Sequence, residues 1–382
     1  MGFISDINAQ FLFEEITGSN NPFEAIAPGA YASPDFADID GDNDLDVFFA
    51  LEDGTIAFYN NTGTTAQAVF ELQTGNDNPL NAANGIAYAG IAFADIDGDG
   101  DSDAFISSVY AWIKYFENTG SAQQAVFEVQ TGENNPLDHY EEGFEGKLDF
   151  VDIDNDNDQD VFIGDDYGSI RFYKNIGTAT TPFFVQQIGS DNPLNQVYAG
   201  DFAKPAFTDL DFDGDFDLVL GVDDGSFHYF ENKGTAETPD FLELTGNTNP
   251  FNGFDVGTES KPAFADLDGD GDADLIAGNE NGNIRYYENL SSLTQVDRPK
   301  KIIFPDILVH NNELWIRCLA DENFLLLQHA QLKLYSLNGK LVYAASFDIE
   351  PIVKLQLPTL PAGIFLLNLQ MENQTKTIKI SL

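Results

Sequence analysis

Nine-residue acidic loops return five times at an interval of 57 residues, each with aspartate at alternate positions. The first copy holds Asp38, Asp40, Asp42, Asp44 and Asp46, and the second Asp95, Asp97, Asp99, Asp101 and Asp103. The third holds Asp152, Asp154, Asp156, Asp158 and Asp160; the fourth Asp209, Asp211, Asp213, Asp215 and Asp217; the fifth Asp266, Asp268, Asp270, Asp272 and Asp274. Carboxylates at this density repel one another, and a bound divalent cation reverses that repulsion. Calcium takes about six to eight oxygens at about 2.3–2.6 Å and tolerates irregular geometry, whereas magnesium demands a stricter octahedron. All five aspartates of each copy are therefore candidate calcium ligands, with about one ion per copy. The sixth position reads Asn43, Gly100, Asn157, Gly214 and Gly271, residues that accept the positive φ of a sharp turn. A helical calcium loop would close with glutamate at its twelfth position; here Phe49, Ile106, Ile163, Leu220 and Ala277 stand there, and the flanks read as strands.

The elements that position the loops follow from the repeat. A 57-residue unit is long enough for several strands. In the first, Ser33–Asp38 runs into the loop and Leu45–Leu51 leaves it; Glu52-Asp-Gly54 turns into Thr55–Tyr59, and Ala68–Leu72 follows a polar connection. Tight turns with aromatic and β-branched runs, and no helical period, predict four-stranded antiparallel sheets. Repeated radially, such sheets are the blades of a propeller. The last unit lacks a fourth strand after Asn283–Tyr287, while a spare one stands at the N-terminus, Phe11–Gly18, offset by 57 from its nearest equivalent. Pairing the two ends removes an exposed edge. The expected architecture is all-β: a five-bladed β-propeller whose fifth blade is closed by the N-terminal strand.

Charge divides the chain. The 382 residues carry a formal charge of −47, which excludes nucleic acid and anionic membrane surfaces as partners. Residues 298–382 hold nine of the 17 Lys+Arg but only seven of the 64 Asp+Glu, so the acidity belongs to residues 1–297. Two domains are expected, a calcium-binding propeller over 1–297 and a small C-terminal β-sandwich over 298–382, joined near Leu290–Pro299. Cys318 is the one cysteine, so no intrachain disulfide forms. No apolar run reaches the roughly 20 residues that span a bilayer, and membrane insertion is not expected. Met-Gly-Phe-Ile-Ser-Asp6 lacks the basic start and apolar core of a signal peptide; for an exported protein the leader would be absent from this chain.

The aspartate loops with the apolar strands that follow them, as in Asp217-Leu-Val-Leu-Gly221 and Asp274-Leu-Ile-Ala-Gly278, resemble the FG-GAP and VCBS repeats of integrin α-chain propellers and bacterial surface proteins. The resemblance covers roughly residues 9–290. It implies one calcium per blade, held by the side chains of positions 1, 3, 5 and 9 and the backbone carbonyl of position 7. Propellers of that group usually have seven blades, and the fourth loop departs from the pattern with Phe212 where most have Gly or Asn. The tail, with Leu332–Lys340 and Leu360–Leu369, resembles the C-terminal sorting domain of type IX secretion substrates. That implies export through the type IX machinery to the outside of a Bacteroidota-type cell.

A specific ligand site must break the repeat. Blade 2 has Ala111 where the others have Gly54, Gly168, Gly225 and Gly282, and flanks it with Tyr110 and Trp112. Tyr110, Trp112 and Tyr167 are the candidate ligand-binding residues, aromatic faces that suit a sugar ring or a protein anchor. Lys114, Arg171, His228 and Arg285 form a basic set at one third-strand position, suited to an acidic glycan or to pairing with nearby carboxylates. Asp138-His-Tyr-Glu-Glu142 with Glu145 brings histidine beside carboxylates, but no triad order, zinc spacing or phosphate loop is present. Catalysis is not expected. The reading is a secreted or cell-surface, calcium-stabilised adhesion module for a glycan or protein; the alternatives are a structural subunit of an extracellular assembly and a polysaccharide-degrading enzyme.

Overall fold

The computed structural model describes residues 13–83, 90–108, 112–138 and 146–291, and in the C-terminal part 306–310, 313–317, 329–336, 340–348, 352–356, 364–371 and 374–381. The chain divides into two units, 1–292 and 293–382. The expected junction at 297/298 lies outside the described residues.

The first unit opens with β1 (Phe13–Glu15). Blade 1 is β2 (Ser33–Ala37), β3 (Asp46–Ala50), β4 (Ile56–Asn61) and β5 (Phe70–Gln73); blade 2 is β6 (Gly90–Ala94), β7 (Asp103–Ser107), β8 (Ile113–Asn118) and β9 (Phe127–Gln130). Blade 3 is β10 (Lys147–Val151), β11 (Asp160–Gly164), β12 (Ile170–Asn175) and β13 (Phe184–Gln187). Blade 4 is β14 (Lys204–Thr208), β15 (Asp217–Gly221), β16 (Phe227–Asn232) and β17 (Phe241–Leu244). Blade 5 comprises β18 (Lys261–Ala265), β19 (Asp274–Gly278) and β20 (Ile284–Asn289), completed by β1, which pairs antiparallel with β20 as Phe13 opposite Asn289 and Glu15 opposite Tyr287. The first strand of each blade packs on the first strand of the next, and β18 packs on β2, so the ring closes as the repeat predicts.

Second strands are covered on both faces. Every residue of β3, β7, β11, β15 and β19 is buried, which is why their sequences are continuous apolar runs rather than alternating ones. Third strands alternate instead, with buried residues separated by partly exposed ones. The core is five clusters, one in each space between neighbouring blades. Phe48 stacks on Phe58 at 4.3 Å and touches Phe93 of the next blade at 4.8 Å; Phe105, Tyr115 and Phe150, and Phe162, Phe172 and Phe207, repeat the arrangement. Burying each such ring stabilises the fold by about 1.5–3 kcal/mol.

In the second unit, β21 (Asp306–His310), β22 (Glu313–Arg317) and β25 (Ile352–Gln356) form one antiparallel sheet. β23 (His329–Ser336), β24 (Leu341–Asp348), β26 (Ile364–Met371) and β27 (Gln374–Ser381) form another. Leu332 and Leu334 are buried and Lys333 between them is exposed, the alternation of a sheet with one covered face.

Candidate functional site: the aspartate loops and the opposite face

Each aspartate loop joins the first strand of its blade to the second, so all five lie at one end of the ring. Within every loop the carboxylates of positions 1, 3 and 5 offer oxygens within 4.8 Å of one another. The first aspartate shapes the turn: Gly41 N–H donates to Asp38 Oδ1 at 2.8 Å and Asn43 N–H to Asp38 Oδ2 at 3.0 Å, and Asp95 and Asp266 accept the same pair. The sixth residue is left-handed in all five, with φ of 71°, 94°, 70°, 96° and 93° in chain order.

Positions 7 and 9 differ in what they meet. The ninth aspartate is buried and serves its blade: Asp46 Oδ1 accepts Asn61 N–H at 2.6 Å, and Asp103, Asp160, Asp217 and Asp274 accept the equivalent asparagine amide at 2.7–2.8 Å. Tyr115, Tyr229 and Tyr286 add hydroxyl donors to Asp103, Asp217 and Asp274. Burial raises these five carboxyls, to about 7 in Asp46, Asp103 and Asp274 and about 8 in Asp160 and Asp217.

The seventh aspartate differs. Asp44, Asp101, Asp158, Asp215 and Asp272 are at most 9% exposed, and Oδ1 of each has no hydrogen-bond partner. A buried carboxylate oxygen without a donor costs free energy unless something positive meets it. Burial raises all five, to about 6 in the first four and about 8 in Asp272, and the neighbouring loop carboxylates raise them further. The donor set is all oxygen, which suits a hard cation.

The loops of blades 1, 2 and 5 are also seated against the next blade. A Cβ at Gly41 would lie 2.8 Å from the Ala122 carbonyl, and one at Gly269 3.2 Å from Ala66; both neighbours belong to the turn between third and fourth strands of the following blade. Phe212 occupies this fourth position with φ 60°. The loop around Phe212 keeps its form, with Gly214 N–H donating to Asp209 Oδ2 at 3.1 Å.

The FG-GAP-like repeat family matches residues 38–106 and 209–277, spans that each begin at an aspartate loop and end in the buried second strand of the next blade. The chain carries FG-GAP-like repeats. Comparison with curated proteins finds no match. Among solved structures, the chain is similar to an Agrocybe aegerita lectin that recognises non-reducing terminal N-acetylglucosamine, at 19% identity over 67% of this chain and 65% of that one, with a TM-score of 0.34. It is similar to the SapL1 lectin in complex with alpha methyl fucoside, at 10% identity over 92% of both chains and a TM-score of 0.36. The extracellular domain of BT3049 from B. thetaiotaomicron shares 9% identity over 88% of this chain and 42% of that one, with a TM-score of 0.29. This chain thus spans less than two thirds of the first and last of these structures.

The second-to-third-strand hairpins lie at the end of the ring opposite the aspartates, and there the symmetry breaks. Trp112 is 43% exposed and Tyr167 64% exposed, both in these hairpins. Tyr198, in the connection entering blade 4, is 66% exposed and was not marked by the sequence reading. Its ring lies against Gly168, where a Cβ would stand 2.7 Å away, and its hydroxyl donates to Asp201 at 3.0 Å. Its equivalents in the repeat are Ala27, Asn84, Glu141 and Asp255, so the signal was available in the spacing. Lys114 Nζ sits 5.6 Å from the Trp112 ring centroid. Tyr110, His139–Glu142 and Glu145 lie outside the described residues.

The other members of the basic set are engaged by carboxylates: Arg171 with Asp165 at 3.2 Å, His228 with Glu243 at 2.8 Å and Arg285 with Glu15 at 2.6 Å. A cavity of about 340 Å³ lies on the aspartate end between blades 2 and 3, lined in part by Asp95, Gly98, Asn157 and Asp158. It therefore belongs with the loops and not with the aromatic face. Among the described residues no helix is long and apolar enough to cross a membrane.

Proposed function

We propose that this chain is a non-catalytic, calcium-stabilised binding module that recognises a glycan on the face opposite its aspartate loops. The observation that carries the reading is the separation of the two features. Cation-ready loops repeat at one end of the ring, while Trp112, Tyr167 and Tyr198 stand exposed at the other, at positions where the repeat is broken. Aromatic faces with polar tips suit the apolar faces of a sugar ring. Lys114 beside Trp112 favours a glycan that bears acidic groups.

Calcium supplies charge neutralisation in the loops. Positions 1, 3 and 5 with the seventh carboxylate would hold it, and the ninth aspartate carries the loop's order into the third strand through the asparagine amide. The setting we infer is the outside of a bacterial cell, with residues 298–382 acting as a type IX sorting domain; a reporter fused to these residues would be secreted by a host with that machinery and retained by one without it.

A glycan array read in calcium tests recognition. Binding is expected to fall at least tenfold in Trp112→Ala and in a Tyr167→Ala, Tyr198→Ala double variant, each with an unchanged melt. Undiminished binding by both variants contradicts the placement, and release of sugar fragments contradicts the absence of catalysis.

A further inference from the structure

We propose that the five loops are not equivalent, and that blade 3 is the weakest calcium site because Lys174 supplies a cation of its own. The inference rests on the calcium reading above and goes beyond it in ranking the sites. Lys174 lies on β12, and its ammonium is bonded to Asp154 Oδ2, the third loop position, and sits 3.4 Å from Asp156 Oδ2, the fifth. Those are two of the three carboxylates whose oxygens gather in this loop.

The same third-strand position in the other blades is Asn60, Glu117, Glu231 and Glu288. It faces the loop in blades 1, 4 and 5 as well: Asn60 reaches Asp40, Glu231 is near Asp211, and Glu288 is near Asp268 and Asp270. Blades 4 and 5 thus add a carboxylate beside the ion site and blade 1 a neutral amide, Glu117 of blade 2 accepts from Gln130 at 2.6 Å, and blade 3 adds a positive charge. Lys233 of blade 4 pairs with Glu231 and stands 49% exposed; what sets Lys174 apart is its direct bond to the loop aspartates, which Lys233 does not make among the described residues.

Coulomb's law gives the direction. An ammonium within about 4 Å of two ligand carboxylates repels an incoming divalent ion and must be displaced or outcompeted before those oxygens can turn to it. Exchanging glutamate for lysine at one position changes the local charge by two. Blade 3 also closes its loop differently: Asp152 Oδ1 accepts Asp156 N–H at 3.0 Å, one residue later than in blades 1, 2 and 5. The lysine gives the loop partial neutralisation without any ion, so blade 3 stays ordered when calcium is scarce.

Calcium chloride titrated into the metal-free full chain, with stoichiometry from equilibrium dialysis and affinities from calorimetry, tests this. Four sites of one class and a fifth at least tenfold weaker are expected. Lys174→Glu should bring the fifth into the strong class, and so should Lys174→Gln, which matches the neutral Asn60 of blade 1. Five indistinguishable sites in the natural chain overturn the proposal, as does a weak site that persists in both variants. Binding of no calcium at all overturns the calcium reading itself.

Discussion

Asn118 shows how a single side chain ties an aspartate loop to its blade. Its backbone N–H donates to Asp103, and its Oδ1 accepts the N–H groups of Gly120 at 3.2 Å and Val126 at 2.9 Å. Asn61, Asn175 and Asn232 repeat this clamp. Asn118→Ala leaves two amides short of an acceptor and should cost about 1–3 kcal/mol, read by urea unfolding. Asp35 is the second informative residue. On β2, its Oδ2 accepts Phe93 N–H of the next blade at 2.8 Å. Burial raises its carboxyl to about 7, with Asp149 adding to the rise and Lys147 opposing it. The fold therefore favours the protonated form: the stabilisation is complete below the ordinary carboxyl value near 4 and is lost as pH rises through about 7. Asp35→Asn keeps the acceptor and removes the charge, so its melting temperature should exceed that of the natural chain at pH 8, with the gain vanishing near pH 4. The gathering of the first, third and fifth loop aspartates was legible because it is local to nine residues. Tyr198 and Lys174 both break the repeat, but what each does depends on Gly168 and Asp154, neighbours across a turn or a strand.

At the scale of elements, the closing strand is the most exposed to test. β1 is three residues long, yet Phe13 is 7% exposed and packs on Phe251 at 4.9 Å, at the junction of blades 4 and 5. Phe13→Ala should cost about 3–5 kcal/mol and speed unfolding. A loss below about 1 kcal/mol would mean that β1 decorates the ring instead of closing it. This strand was legible from arithmetic alone, since it matches the fourth strands at the repeat offset. Boundaries were less so: the third strands run on to Asn61 and its equivalents, beyond the tyrosine or phenylalanine where the apolar pattern stops. The asparagine's bond to the ninth aspartate extends the pairing, and that bond appears only when two strands are side by side.

The whole molecule is a ring of repeats in which neighbours share their cores, so its stability is collective. Repeat number, blade order and ring closure could all be read from the 57-residue period, because each unit is one sheet and no sheet can bury both faces alone. What the period could not show is which end of the ring carries exposed aromatic rings, since that depends on exposure at the few places where the repeat is broken. The charge of −47 opposes compaction, and the orphaned oxygens of the seventh aspartates concentrate that opposition in five loops. A cation that binds only the folded loops stabilises by about 2.7 kcal/mol per site at 100 times its dissociation constant. The melting temperature of the full chain in millimolar calcium and in excess chelator tests the account most directly. A fall of more than 10 °C in chelator, restored by adding calcium back, is the predicted result; the same melt in both solutions would contradict it.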